Sequence, residues 1–190
     1  MANNDILIEY GTQQEFNVTA AFSPADAGTD YTIGTPTNNV LTLSAVADGA
    51  GRQSDKADLG AKRAPLWECF CSVDYTGETP AAGTIDIYWA PSTSGTQATG
   101  NVAGNSGADG AAPDGVTETG MTLAEFLDRC IKIGSLITTD STTVQAGAAG
   151  YLVNPSRYGQ IVLVNNGGDA FEADNVEMAV FLNPINPEVA

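Results

Sequence analysis

The sequence contains no histidine, and only seven of its 190 residues are lysine or arginine. Without imidazole, a Ser-His-Asp or Cys-His catalytic site and a His-ligated zinc site are excluded. The 23 acidic residues give a formal net charge of −16, and a surface of that charge repels the phosphates of nucleic acids. We therefore expect no nucleic-acid partner. A carboxylate pair is the catalytic arrangement that remains chemically open, but scattered carboxylates on an acidic surface are typical of solvent-facing residues.

Long apolar runs and cysteines are also scarce. Apolar runs such as 161–164 are far shorter than the roughly 18 residues of a membrane span, and the first residues lack the pattern of a secretory signal. We expect synthesis in a cytoplasm and no membrane partner. Cys69 and Cys71 are two residues apart and poorly placed to bridge each other, and Cys130 stands alone. Reduced, partly buried thiols are predicted, with cross-linking between subunits as the alternative.

Strand patterns dominate what is present. Residues 66–75 alternate so that Trp67, Cys69 and Cys71 share one face, and residues 84–90 place Trp89 on an apolar face. Aromatic residues on alternating strand positions usually pack in a core. We predict that both tryptophans are buried. The alternative is a sugar-binding platform, formed by the aromatic residues Trp67, Tyr88, Trp89 and Tyr151.

The remaining pattern indicates about nine strands and one short helix. Thr122 is a predicted N-cap for a helix over 123–129, with Glu125 at the capping-box position, and we expect this helix to cover one end of the β structure. The fold class is therefore all-β, an antiparallel sandwich or jelly roll, with residues 13–190 as a single domain. The other predicted strands are 5–10, 15–20, 40–44, 131–138, 142–153, 159–164 and 176–182.

Two segments have no strand pattern. The segment 48–63 contains four of the seven basic residues, and it is interpreted either as a solvated loop or as a contact for an acidic neighbouring subunit. Segment 91–121 is rich in Gly, Ser, Thr and Ala, and we expect it to lie on a neighbour or at an exposed tip. The basic residues that carry the partner-binding hypothesis are Arg52, Lys56, Lys62 and Arg63.

No cofactor or metal site is predicted. The Gly-rich residues 100–107 lack the lysine of a phosphate-binding loop, and the chain offers no βαβ unit for a dinucleotide. Two groups of acidic residues have the oxygen ligands that calcium prefers, and neither has EF-hand spacing. These groups are Asp48, Asp55 and Asp58, and Asp169, Glu172 and Asp174.

The N-terminal residues 1–12 form a separate strand or arm. Ile6, Leu7, Ile8 and Tyr10 are too apolar for a free tail, and a terminal strand can pair with an exposed sheet edge on a partner. We predict that this segment docks on another subunit. The alternative is an ordinary first strand of the chain's own sheet.

Three stretches of the C-terminal part, 85–92 with 107–109, 156–167 and 174–184, carry a family likeness. Together they resemble small virion structural proteins of tailed bacteriophages, over residues 65–190. The resemblance implies a non-enzymatic β-sandwich protein at the capsid surface, which decorates or stabilises the head. Its expected partners are the major capsid protein or neighbouring virion subunits, in a homo-oligomer for which a trimer is predicted.

Three other functions remain open beside capsid decoration. The first is a head-fibre or tail component that binds host-surface glycans. The second is a tail-tube or connector protein, and the third is a carboxylate-based glycosidase. Copy number in the particle distinguishes a decoration protein from an adhesin.

Overall fold

The structure is a computed structural model that describes residues 6–9, 11–18, 22 and 31–189, without the side chains of 6–9 and 187–189. Within these ranges there are twelve strands, one α-helix and one 3-10 turn at Val102–Gly104. The strands are β1 Ile6–Glu9, β2 Gln14–Asn17, β3 Thr37–Val40, β4 Gly51–Gln53, β5 Ala57–Asp58, β6 Leu66–Val73, β7 Gly83–Ser92, β8 Gly110–Ala112, β9 Ile131–Thr138, β10 Gln145–Val153, β11 Tyr158–Asn166 and β12 Ala179–Val189, and the helix is α1 Leu123–Leu127.

The strands form one continuous hydrogen-bonded path rather than two separate sheets. Its order is β3-β2-β12-β6-β10-β9-β7-β11-β4-β8, with β1 attached to β12 and β5 to β11. The sheet is mixed, because β2 and β3 run parallel while the other paired strands are antiparallel. The all-β class is confirmed. The curled sheet surrounds a core to which β2, β6, β7, β9, β10, β11 and β12 all contribute.

Both tryptophans lie in this core, as predicted. The exposed fraction is 2% for Trp67 and zero for Trp89. Each indole N–H has a partner, since Trp67 donates to the carbonyl of Ala64 and Trp89 to the hydroxyl of Ser156, both at 3.0 Å. An indole is stable in a protein core when its ring is buried and its N–H donates a hydrogen bond. The sugar platform that used these two rings is therefore wrong.

The two segments expected to be loops contain short strands. Gly51–Gln53 and Ala57–Asp58 lie within 48–63 and pair with β11, while Gly110–Ala112 lies within 91–121 and pairs with β4. These strands have two or three residues, too few for an alternating apolar pattern to be visible. Segment 91–121 therefore adds an outermost strand to the chain's own sheet.

The short helix has the predicted N-cap. The Thr122 hydroxyl accepts a hydrogen bond from the Glu125 amide, and the Glu125 carboxylate accepts one from the Thr122 amide at 2.8 Å. Phe126 is buried against Ala90 and Val162, which face away from the main core. The helix therefore covers the outer face of β7 and β11, and its predicted place at one end of the β structure is corrected.

Candidate partner surface

Lys56 and Arg52 face the chain's own long segment. The ammonium of Lys56 donates to three backbone carbonyls of that segment, and partial burial lowers its pKa. The Arg52 guanidinium forms an ion pair of 3.1 Å with Asp109, just before β8. Both basic residues thus fasten 91–121 to the sheet. The carbonyls bound by Lys56 are those of Ser94, Thr96 and Thr99, at 2.9, 2.6 and 2.9 Å.

Lys62 and Arg63 are placed differently, at the exposed surface four and three residues before β6. Arg63 donates from Nε to the carbonyl of Pro155 at 2.6 Å. Within the described part of the chain, neither basic residue forms an ion pair, and Lys62 has no hydrogen-bond partner. The four predicted basic residues therefore separate into an internal pair and an external pair.

Two open depressions flank Arg63. One has a volume of about 280 Å³ and is lined by Lys62, Arg63 and Trp67, among others. The other has a volume of about 270 Å³ and includes Pro65 and Asn154 in its wall. These depressions give a partner side chain a place to insert beside the Arg63 guanidinium.

Exposed apolar side chains continue this surface along the outer face of the sheet. Leu66 is the register partner of Val153 on one side and of Ile185 on the other, so these three side chains form a row across β10, β6 and β12. Val153 is 58% exposed, and Tyr151, two residues before it, is 54% exposed. We call the surface formed by Lys62, Arg63, Leu66, Tyr151 and Val153 the docking face.

The N-terminal strand pairs within the same chain. Ile6–Glu9 is antiparallel to Asn186–Val189, with Ile6 opposite Val189, which is the intramolecular alternative considered above. The side chains of Ile6, Leu7 and Ile8 and all of Tyr10 lie outside the described residues. A contact of this segment with another subunit stays a prediction.

The acidic residues considered as calcium ligands have separate protein partners. Asp58 forms a bidentate ion pair with Arg157, and Asp48 accepts a hydrogen bond from the amide of Gly168. Asp169 binds the amide and hydroxyl of Thr79. In the portion of the chain that the structure describes, no three acidic or cysteine side chains are grouped in a way that could hold a metal ion.

A different pair of carboxyl groups is in direct contact. Glu172 shares a side-chain hydrogen bond with Asp74, and this bond, followed by burial and the charges of Asp74, Asp174 and Glu177, raises the pKa of Glu172 to about 7. Sequence spacing gave no sign of this pair, because Asp74 follows β6 and Glu172 precedes β12. The pair can hold one proton near neutral pH.

The three thiols are free. Cys69 and Cys71 are fully buried in the core, and burial raises the pKa of both, to about 12 for Cys71. Burial also raises the pKa of Cys130 to about 12. Thiols of such high pKa carry little thiolate at neutral pH and are poor nucleophiles.

Comparisons with protein families, with curated proteins and with solved structures found no match. Among the described residues, no helix has the length and apolar character needed to cross a membrane.

Proposed function

We propose that this chain is a non-enzymatic structural protein of a tailed-bacteriophage virion. It binds the capsid surface after synthesis in the host cytoplasm, and it decorates or stabilises the head. The resemblance of residues 65–190 to small virion proteins supports this role. The observation that carries the proposal has two parts. Arg52 and Lys56 hold segment 91–121 to the sheet, and the cationic and apolar docking face stays exposed for a partner.

The attachment of segment 91–121 to the sheet matters because a subunit on a particle surface has to stay ordered without a bound ligand. Lys56 satisfies three carbonyls of segment 91–121, and Asp109 binds both Arg52 and Thr42. Segments held by buried or charge-assisted hydrogen bonds open less readily than free loops. A rigid body of this kind suits a permanent structural position.

The net charge supports an external position on the head. With a formal charge of −16, the chain is repelled by packaged DNA and by other acidic surfaces. Electrostatic complementarity then favours those few contacts in which cations meet carboxylates.

A head-fibre or tail component that binds host glycans is the second candidate. Tyr151 favours it, because this ring is 54% exposed on the outer face of the sheet and exposed aromatic rings are suited to packing against apolar faces of ligands. The two indoles that would have enlarged the platform lie in the core.

Copy number and head binding test the proposal. Virions of the phage that encodes this chain are purified, and the chain is quantified against the major capsid protein by stained gel and mass spectrometry. We expect many copies, in a fixed ratio to the capsid lattice, and saturable binding of the purified chain to DNA-free heads that lack it. A few copies per particle, with loss of host attachment on removal, would favour the glycan-binding candidate instead.

A further inference from the structure

The docking face combines exposed apolar side chains with cations that lack a carboxylate partner in the described chain. Tyr and Arg are enriched at the centres of protein interfaces, where apolar area and directional polar contacts are both available. We propose that the docking face binds the acidic surface of a second copy of this chain in a head-to-tail contact. This inference rests on the chain's own surface and does not depend on the virion role.

The distribution of charge identifies the occupant. Four of the seven basic residues form ion pairs within the chain, and Lys56 binds backbone carbonyls. Within the described residues this leaves Lys62 and Arg63 to attract an external carboxylate, and a second copy, with 23 acidic against 7 basic residues, has an excess of carboxylates to supply. The internally paired residues are Arg52, Arg129, Lys132 and Arg157.

The same charges argue against a two-fold contact of this face with itself. In an isologous dimer both copies use the same patch, and the five residues that define the docking face include two cations and no carboxylate. A head-to-tail contact instead places them on a different, acidic face of the next copy. Such contacts repeat, and they close into a ring when the rotation between copies permits it.

Opposite charges lie at the two ends of β6, an exposed cation before the strand and a buried carboxyl group after it. Arg63 lies three residues before the first residue of this strand, and Asp74 follows its last residue. The two ends are about 25 Å apart at roughly 3.3 Å per residue. The docking face therefore lies at the opposite end of β6 from the carboxyl groups of Asp74 and Glu172.

The apolar row gives the contact area that charge alone does not provide. Val153 and Tyr151 are more than half exposed, and Leu66 is half-buried beside them. Covering these side chains removes apolar surface from water. Glu68 pairs in register with Tyr151 on the same face, so a partner carboxylate is expected to approach at the Lys62–Arg63 end and not at the Tyr151 end.

Charge reversal tests the ionic part of the contact. Sedimentation velocity at several protein concentrations compares the wild-type chain with the double variant K62E/R63E. The matched control, R129E/K132E, changes the net charge equally and replaces exposed cations away from the docking face. We expect concentration-dependent association of the wild type that weakens with added salt. The dissociation constant should rise at least about tenfold in K62E/R63E and stay near the wild-type value in the control.

A second pair of variants tests the apolar part. Val153→Ser should weaken association, whereas Ile137→Ser should leave it unchanged. Ile137 is 78% exposed on β9 and is not part of the docking face. Melting temperatures of all variants are measured, so that loss of association is separated from loss of fold.

Cross-linking establishes the direction of the contact. A carbodiimide joins the Lys62 ammonium to a nearby carboxylate, and a mixture of isotopically light and heavy chains identifies links between copies. Links from Lys62 to Asp or Glu of another copy are expected. A chain that is monomeric at every concentration and salt would overturn the proposal. So would association unchanged in K62E/R63E, or links by an amine-specific reagent between two Lys62 residues. Absence of the chain from virions would overturn the proposed function alone.

Discussion

The hydroxyl of Thr42 donates a hydrogen bond of 2.7 Å to the Asp109 carboxylate, across 67 positions of sequence. Thr42 lies two residues after β3, and Asp109 lies one residue before β8, so this bond joins the two ends of the strand order. The amide of Asp55 donates to the carbonyl of Val40 at 2.7 Å nearby. These contacts bring the edges of the curled sheet together and reduce the unpaired edge that a free sheet would expose.

Asp109→Ala should therefore destabilise the fold. The substitution removes the acceptor for the amide and hydroxyl of Thr42 and for the guanidinium of Arg52, whose Nε is already buried without a partner among the described residues. We expect a loss of about 1–3 kcal/mol in the free energy of unfolding, measured in urea. Asp140→Ala, at an exposed position, is the control and should change stability little. Equal stability of the two variants would contradict a closing role for Asp109.

Burial of the two indoles gives a second prediction. Trp89→Ala or Trp67→Ala should cost about 3–5 kcal/mol, because each leaves a cavity in the core. Tyr151→Ala, at an exposed position on β10, should cost much less. In the native wild-type chain, iodide should quench the tryptophan fluorescence weakly, and quenching should become strong in denaturant. Strong quenching of the native chain would contradict the burial of both rings.

The sequence reveals the long strands well, because an alternating pattern over seven or more residues fixes both the element and its buried face. β6 and β7 were recovered in this way, together with the tryptophans on their inner faces. The capping box of α1 was also visible, since it depends on two residues three positions apart. Strand alternation and the capping box each depend on residues of a single strand or helix, so the sequence of that element is enough to show them.

Pairings between distant short segments were not visible in the sequence. β4 and β8 have three residues each, and their place is decided by the contacts of Arg52 and Asp109 rather than by apolar alternation. Contacts between distant segments also separate the basic residues into an internal and an external pair. Lys56, for example, binds the carbonyl of Thr96, which is 40 residues later in the sequence. Charge composition identified the candidate residues, but only the tertiary structure separates Lys62 and Arg63 from the internal pair.

Deletion of residues 2–11 tests the N-terminal segment. β1 pairs with β12 over Asn186–Val189, while β12 keeps its pairing with β6 over Ala179–Ile185. We therefore expect the shortened chain to retain β-type circular dichroism and a cooperative melt. If the segment also docks on another subunit, assembly or head binding should be lost while the fold persists. A shortened chain that fails to fold, or one that still decorates heads normally, would contradict the intersubunit arm.

The Asp74–Glu172 pair predicts an unusual dependence of stability on pH. The pKa of Glu172 is raised to about 7 from 4.5, so the folded state binds this proton more tightly than the unfolded state does. Its contribution to stability is fully present below about pH 4.5 and is lost as the pH rises through 7. The chain has no histidine, so few other side chains titrate in this interval.

Glu172→Gln removes this dependence, because the Gln amide donates to Asp74 at every pH, as protonated Glu172 does. The melting temperature of the wild type should fall between pH 5.5 and 8, an interval that spans the raised pKa of Glu172 near 7. That of E172Q should change less over the same range and should exceed the wild-type value at the higher pH. Glu78→Gln, at a half-buried position in the turn after β6, is the control and should retain the wild-type profile. A wild-type melting temperature that rises toward alkaline pH, or an E172Q profile parallel to it, would mean that the two carboxyl groups do not share a proton.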